Sequence, residues 1–96
     1  MAIITDTLEG VIDGVLWYHY DVAGDVLYLR YADDRDTATY AEESPEGLLR
    51  LRRQNDDQPV GLTVVNWWKR FGSGALPDSI RRLESQIEPW AARLAA

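Results

Sequence analysis

The chain contains no cysteine, which excludes disulfide bonds, thiolate zinc ligands and a cysteine nucleophile. It has a single histidine, His19, so a histidine-based metal site would need carboxylates to complete it. No apolar run approaches the length of a membrane span, and residues 1–16 lack the cationic start of a signal peptide. These absences predict a non-enzymatic cytoplasmic protein with no cofactor, no metal site and no membrane association.

The length and composition of the chain favour a single folded domain over residues 1–96. A chain of 96 residues is too short to form two separate cores. Hydrophobic residues make up 46% and charged residues 27%, which is typical of globular proteins. Four tryptophans and five tyrosines predict a core rich in aromatic side chains.

The net charge of −6 is unevenly distributed along the chain. Residues 1–47 contain eleven acidic side chains against two arginines, whereas residues 48–96 contain five acidic and eight basic side chains. An acidic protein repels phosphate backbones, so we expect no nucleic-acid binding, and it attracts basic proteins. The alternative is that these charges only solvate the surface.

The middle of the chain has the pattern of an antiparallel sheet. Two runs rich in aromatic and β-branched residues flank a turn of Asp and Gly residues, which predicts a β-hairpin. In the first strand Leu16, Tyr18 and Tyr20 would share one face. Three further β-prone segments follow, predicted as an edge strand, a half-buried strand and a central strand. The five predicted strands lie at about 15–20, 26–31, 37–43, 49–52 and 60–68.

The two ends of the chain have different patterns. Apolar residues recur at helical spacing over residues 77–95, with Pro77 and Asp78 at the start, and Pro89 predicts a break near Glu88. Residues 1–14 are expected to form an N-terminal arm, either a short helix or a strand. The predicted fold is α+β: a small, hairpin-rich antiparallel sheet of about five strands, residues 15–71, covered by a C-terminal helix.

One set of motifs resembles a known family. It comprises Tyr20-Asp21-x-x-x-Asp25-x-Leu27-Tyr28-Leu29, then Glu42-Glu43, Gly47, Val60-Gly61-Leu62, Asn66 and Lys69. In order and spacing it resembles the domain of unknown function 2283 family over roughly residues 15–71. The resemblance implies a small, β-rich, mainly bacterial domain without catalytic residues to transfer, and an antitoxin-type role for part of the family. Trp67 and Trp68 depart from the pattern, which usually has small residues there.

The adjacent tryptophans are the strongest candidate for a binding surface. If Trp67 and Trp68 lie in a strand, they point to opposite faces, so one of them needs cover from the C-terminal helix or from another protein chain. We expect an aromatic and arginine surface that mediates self-association as a homodimer or binds a basic partner. The predicted interaction residues are Trp67, Trp68, Tyr28, Tyr40, Arg50 and Arg52.

Three functions therefore remain open from the sequence. The first is a non-enzymatic interaction module, in an antitoxin-like or inhibitor-type role against a basic partner such as a toxin-like nuclease. The second is a small-ligand or divalent-cation-binding domain that uses His19 and the carboxylates between Asp21 and Asp36. The third is a structural homodimer.

Overall fold

A computed structural model describes residues 7–95 of the chain. Within this range six strands form one sheet, and a short 3₁₀ helix and three α-helices follow or interrupt them. The strands are β1 (Thr7–Ile12), β2 (Leu16–Asp21), β3 (Val26–Tyr31), β4 (Thr39–Glu43), β5 (Leu49–Arg53) and β6 (Pro59–Val65). The helices are α1 (Trp67–Phe71), α2 (Ile80–Ile87) and α3 (Trp90–Ala95), with the 3₁₀ helix at Ala32–Asp34.

The α+β class and the antiparallel sheet are confirmed, with six strands instead of about five. The additional strand is β1, so the described part of the N-terminal arm is a strand and not a helix; residues 1–6 lie outside the described residues. Asp13 and Gly14 have φ values of 54° and 70°, which close a tight turn and pair β1 with β2. Gly10 faces the Tyr18 ring there, and a Cβ at this position would lie 2.8 Å from the tyrosine hydroxyl.

The sheet consists of two three-stranded meanders joined at its centre. The order is β1-β2-β3-β6-β5-β4, and every neighbouring pair is antiparallel. The predicted hairpin is β2–β3, the predicted edge strand is β4, and β6 is central as expected. A β-bulge opposite Leu51 and Arg52 places an extra residue, Val60, in β6.

Helices α2 and α3 pack on one face of the sheet, here called the covered face. Its central side chains, including Leu27, Leu29 and Val64, are 0% exposed. They form one buried cluster with Leu83 and Ile87 of α2 and with side chains of α3. Tyr18 adds a polar link, because its hydroxyl donates a hydrogen bond of 2.8 Å to Glu84 of α2.

The C-terminal helix is divided and begins later than expected. Ser79 is the N-cap of α2, because its hydroxyl accepts a hydrogen bond from the Arg82 backbone N–H at 3.2 Å. The helix therefore begins at Ile80 and not at Pro77. Pro89 lacks a backbone donor, and α2 ends at Ile87 before α3 begins at Trp90. The predicted break near Glu88 is therefore found.

The predicted placement of Trp67 and Trp68 in a strand is wrong. Strand β6 ends at Val65, and Asn66 adopts a left-handed conformation with φ of 58°, which turns the chain into α1. Trp67 is 2% exposed and packs edge to face on Tyr20, with ring centroids 5.1 Å apart. Trp67 therefore belongs to the core. Trp67 and Trp68 do not point to opposite faces of a strand, because both lie in α1.

Candidate functional site

The face of the sheet opposite the helices, here called the open face, is the candidate site. Strand register and alternation place two rows of side chains across its centre. Among residues 7–95, no helix packs on these rows. The first row is Glu9, His19, Tyr28, Thr63, Leu49 and Glu43, and the second is Val11, Trp17, Arg30, Gly61, Leu51 and Ala41.

Three aromatic rings form a continuous strip on β2 and β3. The Trp17 and His19 ring centroids lie 6.1 Å apart, and His19 meets Tyr28 edge to face at 5.8 Å. Tyr28 is 38% exposed, and Val11 beside Trp17 is 47% exposed. These are large apolar groups at positions where a solvated antiparallel sheet usually has polar side chains.

The tryptophan of this strip is held by two charged neighbours. Glu9 accepts a hydrogen bond from the Trp17 indole Nε1 at 2.8 Å and one from Arg35 at 2.9 Å. The Arg35 guanidinium lies 5.2 Å from the Trp17 ring centroid in a cation–π contact. Trp17 is therefore fixed in orientation.

Arg30 organises the rim of the open face. Its Nη1 donates to the backbone carbonyls of Asp34, Arg35 and Thr37 at 3.1 to 3.3 Å, and its Nη2 donates to the Thr39 hydroxyl at 3.1 Å. These bonds hold the segment between β3 and β4 against the sheet. They also position Arg35 over Trp17.

A shallow hollow lies at the centre of the open face. It has a volume of about 410 Å³ and is lined by Trp17, His19, Tyr28, Arg30, Arg35 and Leu51. Gly61 lies between Arg30 and Leu51 in the sheet, and a Cβ there would lie 2.8 Å from the Leu29 carbonyl oxygen and 3.0 Å from Leu51 Cδ1. The missing side chain lets the Arg30 and Leu51 side chains approach each other across β6.

The structure does not bring together the groups of the expected ligand or cation site. His19 lies on the open face, with its Nδ1 4.0 Å from Glu9 Oε2. Asp21 caps the β2–β3 turn by accepting a hydrogen bond from the Gly24 N–H at 3.1 Å, and Asp34 lies at the opposite end of the sheet. Among the side chains that the structure describes, no group of three His, Asp or Glu residues could hold a metal ion.

Asp25 connects the β2–β3 hairpin to α1. Its carboxylate accepts hydrogen bonds from the Tyr20 hydroxyl at 2.6 Å, the Trp68 N–H at 2.8 Å and the Lys69 N–H at 3.0 Å. Burial alone would raise its pKa, but these bonds and the Lys69 charge hold the pKa below its ordinary value. Burial, and next the bond to Asp25, raise the pKa of Tyr20. The Asp25 motif is thus structural.

The residues of the predicted interaction surface do not form one surface. Tyr28 lies on the open face, whereas Tyr40, Arg50 and Arg52 point to the opposite side of the sheet. There Tyr40 donates to Asp57 at 2.8 Å, Arg52 pairs with Glu42 at 3.3 Å, and Arg50 donates to the Arg93 carbonyl at 3.4 Å. Trp67 is in the core. Trp68 is half-buried, and its indole N–H donates to the Gly74 carbonyl at 2.9 Å.

The alternation in the predicted β2–β3 hairpin could have identified Trp17 and His19 as open-face residues. Leu16, Tyr18 and Tyr20 were assigned to one face of β2, which leaves Trp17 and His19 on the other. In β5, Leu49 and Leu51 also point to the open face, because Arg50 between them pairs with Leu62 of the covered face.

No family model matches the chain, and comparisons with curated proteins and with solved structures likewise found no match. The resemblance to the domain of unknown function 2283 family therefore stays a prediction. Within residues 7–95, no helix has the length and apolar character needed to cross a membrane.

Proposed function

We propose that this protein is a non-enzymatic interaction module that binds a polypeptide through its open face. The observation that carries the proposal is the aromatic strip of Trp17, His19 and Tyr28, which shares the face without helices with Leu49 and Leu51, on the far side of β6. Trp and Tyr are enriched among the residues that dominate binding energy at protein interfaces. A sheet face that is exposed only to water usually has polar side chains at such positions.

The preorganisation of the strip supports the same function. Trp17 is held by Glu9 and Arg35, and Arg35 lies on a segment that Arg30 holds through three backbone carbonyls. A side chain that is already ordered loses less conformational entropy when a partner covers it. The open face therefore has the character of a contact surface.

The charge of the open face defines the chemistry of its partner. The two rows contain two acidic side chains, Glu9 and Glu43, and two arginines balance them: Arg30 in the second row and Arg35 over Trp17. We therefore propose a partner surface that is apolar at its centre and close to neutral overall. A strongly basic partner would instead be attracted to the three loops at one end of the sheet, which contain Asp13, Asp33, Asp34, Asp36, Asp56 and Asp57.

Two tyrosines provide a matched test. Tyr28 is 38% exposed on the open face, and Tyr40 is 39% exposed on the opposite side of the sheet. Native mass spectrometry of the tagged protein from its own cells should show a complex for the wild type and for Tyr40→Arg, and a monomer for Tyr28→Arg. A wild-type monomer, or a complex that survives Tyr28→Arg and is lost with Tyr40→Arg, would contradict the proposal. A basic partner that is released by salt and not by Tyr28→Arg would also contradict it.

A further inference from the structure

We infer that the occupant of the open face is a second copy of this chain, packed open face to open face. This inference rests on the proposed function and names its partner. The chain has a net charge of −6, but the formal charges of the two rows cancel when Arg35 over Trp17 is included, so the excess of acidic groups lies outside the two rows. Two copies can therefore meet here without opposing two surfaces of like charge.

The two rows of the open face complement each other across a two-fold axis. In a symmetric pair the same surface is used by both copies, so each row meets itself or the other row. An axis along the strands would place Glu9 opposite Glu43 of the second copy. An axis across the strands would instead oppose the two rows: Leu49 meets Leu51, and His19 meets Trp17. We infer the second arrangement, because it pairs apolar groups and separates the two glutamates.

The same axis fills the hollow at the centre of the face. Tyr28 of one copy then lies opposite Arg30 of the other, which lines the hollow together with Trp17 and Leu51. The tyrosine ring can cover the stem of Arg30 while the arginine head stays bonded to its loop carbonyls. Because the axis is two-fold, the hollow of each copy receives the tyrosine of the other.

The size of the face predicts a weak dimer. Six strands about 4.8 Å apart, each about five residues long at ~3.4 Å per residue, give a footprint of roughly 400 Å² per copy before side-chain relief is added. The total buried area approaches the roughly 1,000 Å² of a specific interface only if each copy buries its whole open face. The pair is therefore a full-face stack of two sheets about 10 Å apart, with the helices outside, and its dissociation constant is on the order of micromolar.

Sedimentation velocity on the purified full chain tests the inference. From low micromolar to about millimolar concentration, the wild type and Tyr40→Arg should shift together from the mass of one chain to the mass of two. Leu51→Arg and Tyr28→Arg should remain monomeric at every concentration, because each adds two buried charges to a symmetric pair. Circular dichroism melting shows whether each variant is folded.

Cross-linking tests the arrangement without disrupting the face. The chain has no cysteine, so single introduced thiols can be paired by a short bismaleimide without background. A mixture of Leu49→Cys and Leu51→Cys should yield mostly the mixed cross-linked pair, since these positions oppose each other. Ala92→Cys, exposed on α3, is the matched control and should not cross-link.

The outcomes separate this inference from the proposed function. A wild type that stays monomeric at millimolar concentration overturns the second-copy inference. The proposed function is then tested separately, by native mass spectrometry of the protein purified from its own cells. A dimer that survives Tyr28→Arg and Leu51→Arg, or that cross-links through Ala92→Cys, overturns both. A dimer lost only in the two open-face variants, with mixed Leu49–Leu51 cross-links, supports both.

Discussion

The two faces of one sheet have similar side chains and different surroundings. Adjacent residues of one strand point to opposite faces of the sheet. Leu29 is 0% exposed under the helices, while its neighbour Tyr28 is 38% exposed on the open face. An antiparallel sheet with one solvated face normally alternates between apolar and polar residues. Here the open face also has large apolar side chains, Trp17, Leu49 and Leu51, on either side of its two central strands. The covered face provides the stability of the fold, and we propose that a partner covers the apolar side chains of the open face.

The largest effect should come from the centre of the covered face. Truncation of Leu29 to Ala removes a fully buried side chain and leaves a cavity, which should cost about 3 kcal/mol in the free energy of unfolding. Urea denaturation measures this loss. Leu51→Ala on the open face is the matched control, and equal losses for the two variants would remove the distinction between the faces.

The junction at Asp25 should have the next largest effect. Asp25→Ala leaves the buried Tyr20 hydroxyl and the Trp68 and Lys69 N–H groups without their acceptor, and it places alanine at a φ of 54°. We expect a loss of about 2 kcal/mol in urea denaturation. Asp25→Asn keeps one acceptor oxygen and tolerates the backbone conformation, so its loss should be smaller. If Asn and Ala are equally harmful, the hydrogen bonds are not what holds the junction.

The same carboxylate predicts a pH dependence. The folded pKa of Asp25 is lowered, so the unfolded chain binds the proton more readily, and the contribution of Asp25 is fully present only above the unfolded value of about 3.9. It is lost as the pH falls from there through the folded pKa. The stability difference between the wild type and Asp25→Asn should therefore shrink below about pH 4. Urea titrations at neutral and acidic pH measure it, and a constant difference would contradict the assignment.

The smallest effect on stability is expected on the open face. Leu51→Ala and Tyr28→Ala remove partly exposed side chains, so each should change the free energy of unfolding of the monomer by about 1 kcal/mol or less. Dilute samples melted below the dimerisation range isolate this quantity. A loss comparable to that of Leu29→Ala would show that the open face serves stability and not binding.

The sequence was sufficient for the β2–β3 hairpin and for the break between α2 and α3, because their signals are local. Alternating apolar residues and the turn around Gly24 identified the β2–β3 hairpin, and the missing donor of Pro89 identified the helix break. β1 remained ambiguous, since its apolar residues fit a helix or a strand until its pairing with β2 is known. Trp67 and Trp68 were misplaced because the end of β6 depends on a distant residue, Asp25, whose backbone and side chain bind the start of α1.

The candidate site was only partly predictable. The sequence indicated an aromatic and arginine surface, and Tyr28 does lie on the open face. The other chosen residues were selected for type and closeness in sequence, and strand register separates them onto opposite sides. Trp17 was not chosen, because its significance depends on Glu9, Arg35 and the absence of helices on that face within residues 7–95.

A dilution series of ¹H–¹⁵N spectra with assigned backbone amides shows whether the open face of the sheet, and not the helical side, binds a second copy of the chain. Its control is built into the molecule, because strands and helices report on the two sides of the sheet in one sample. We expect concentration-dependent shifts in β2, β3, β5 and β6 around Trp17, Tyr28 and Leu51, with α2 and α3 nearly unchanged. Shifts centred on the helices, or no shifts up to millimolar concentration, would contradict this expectation.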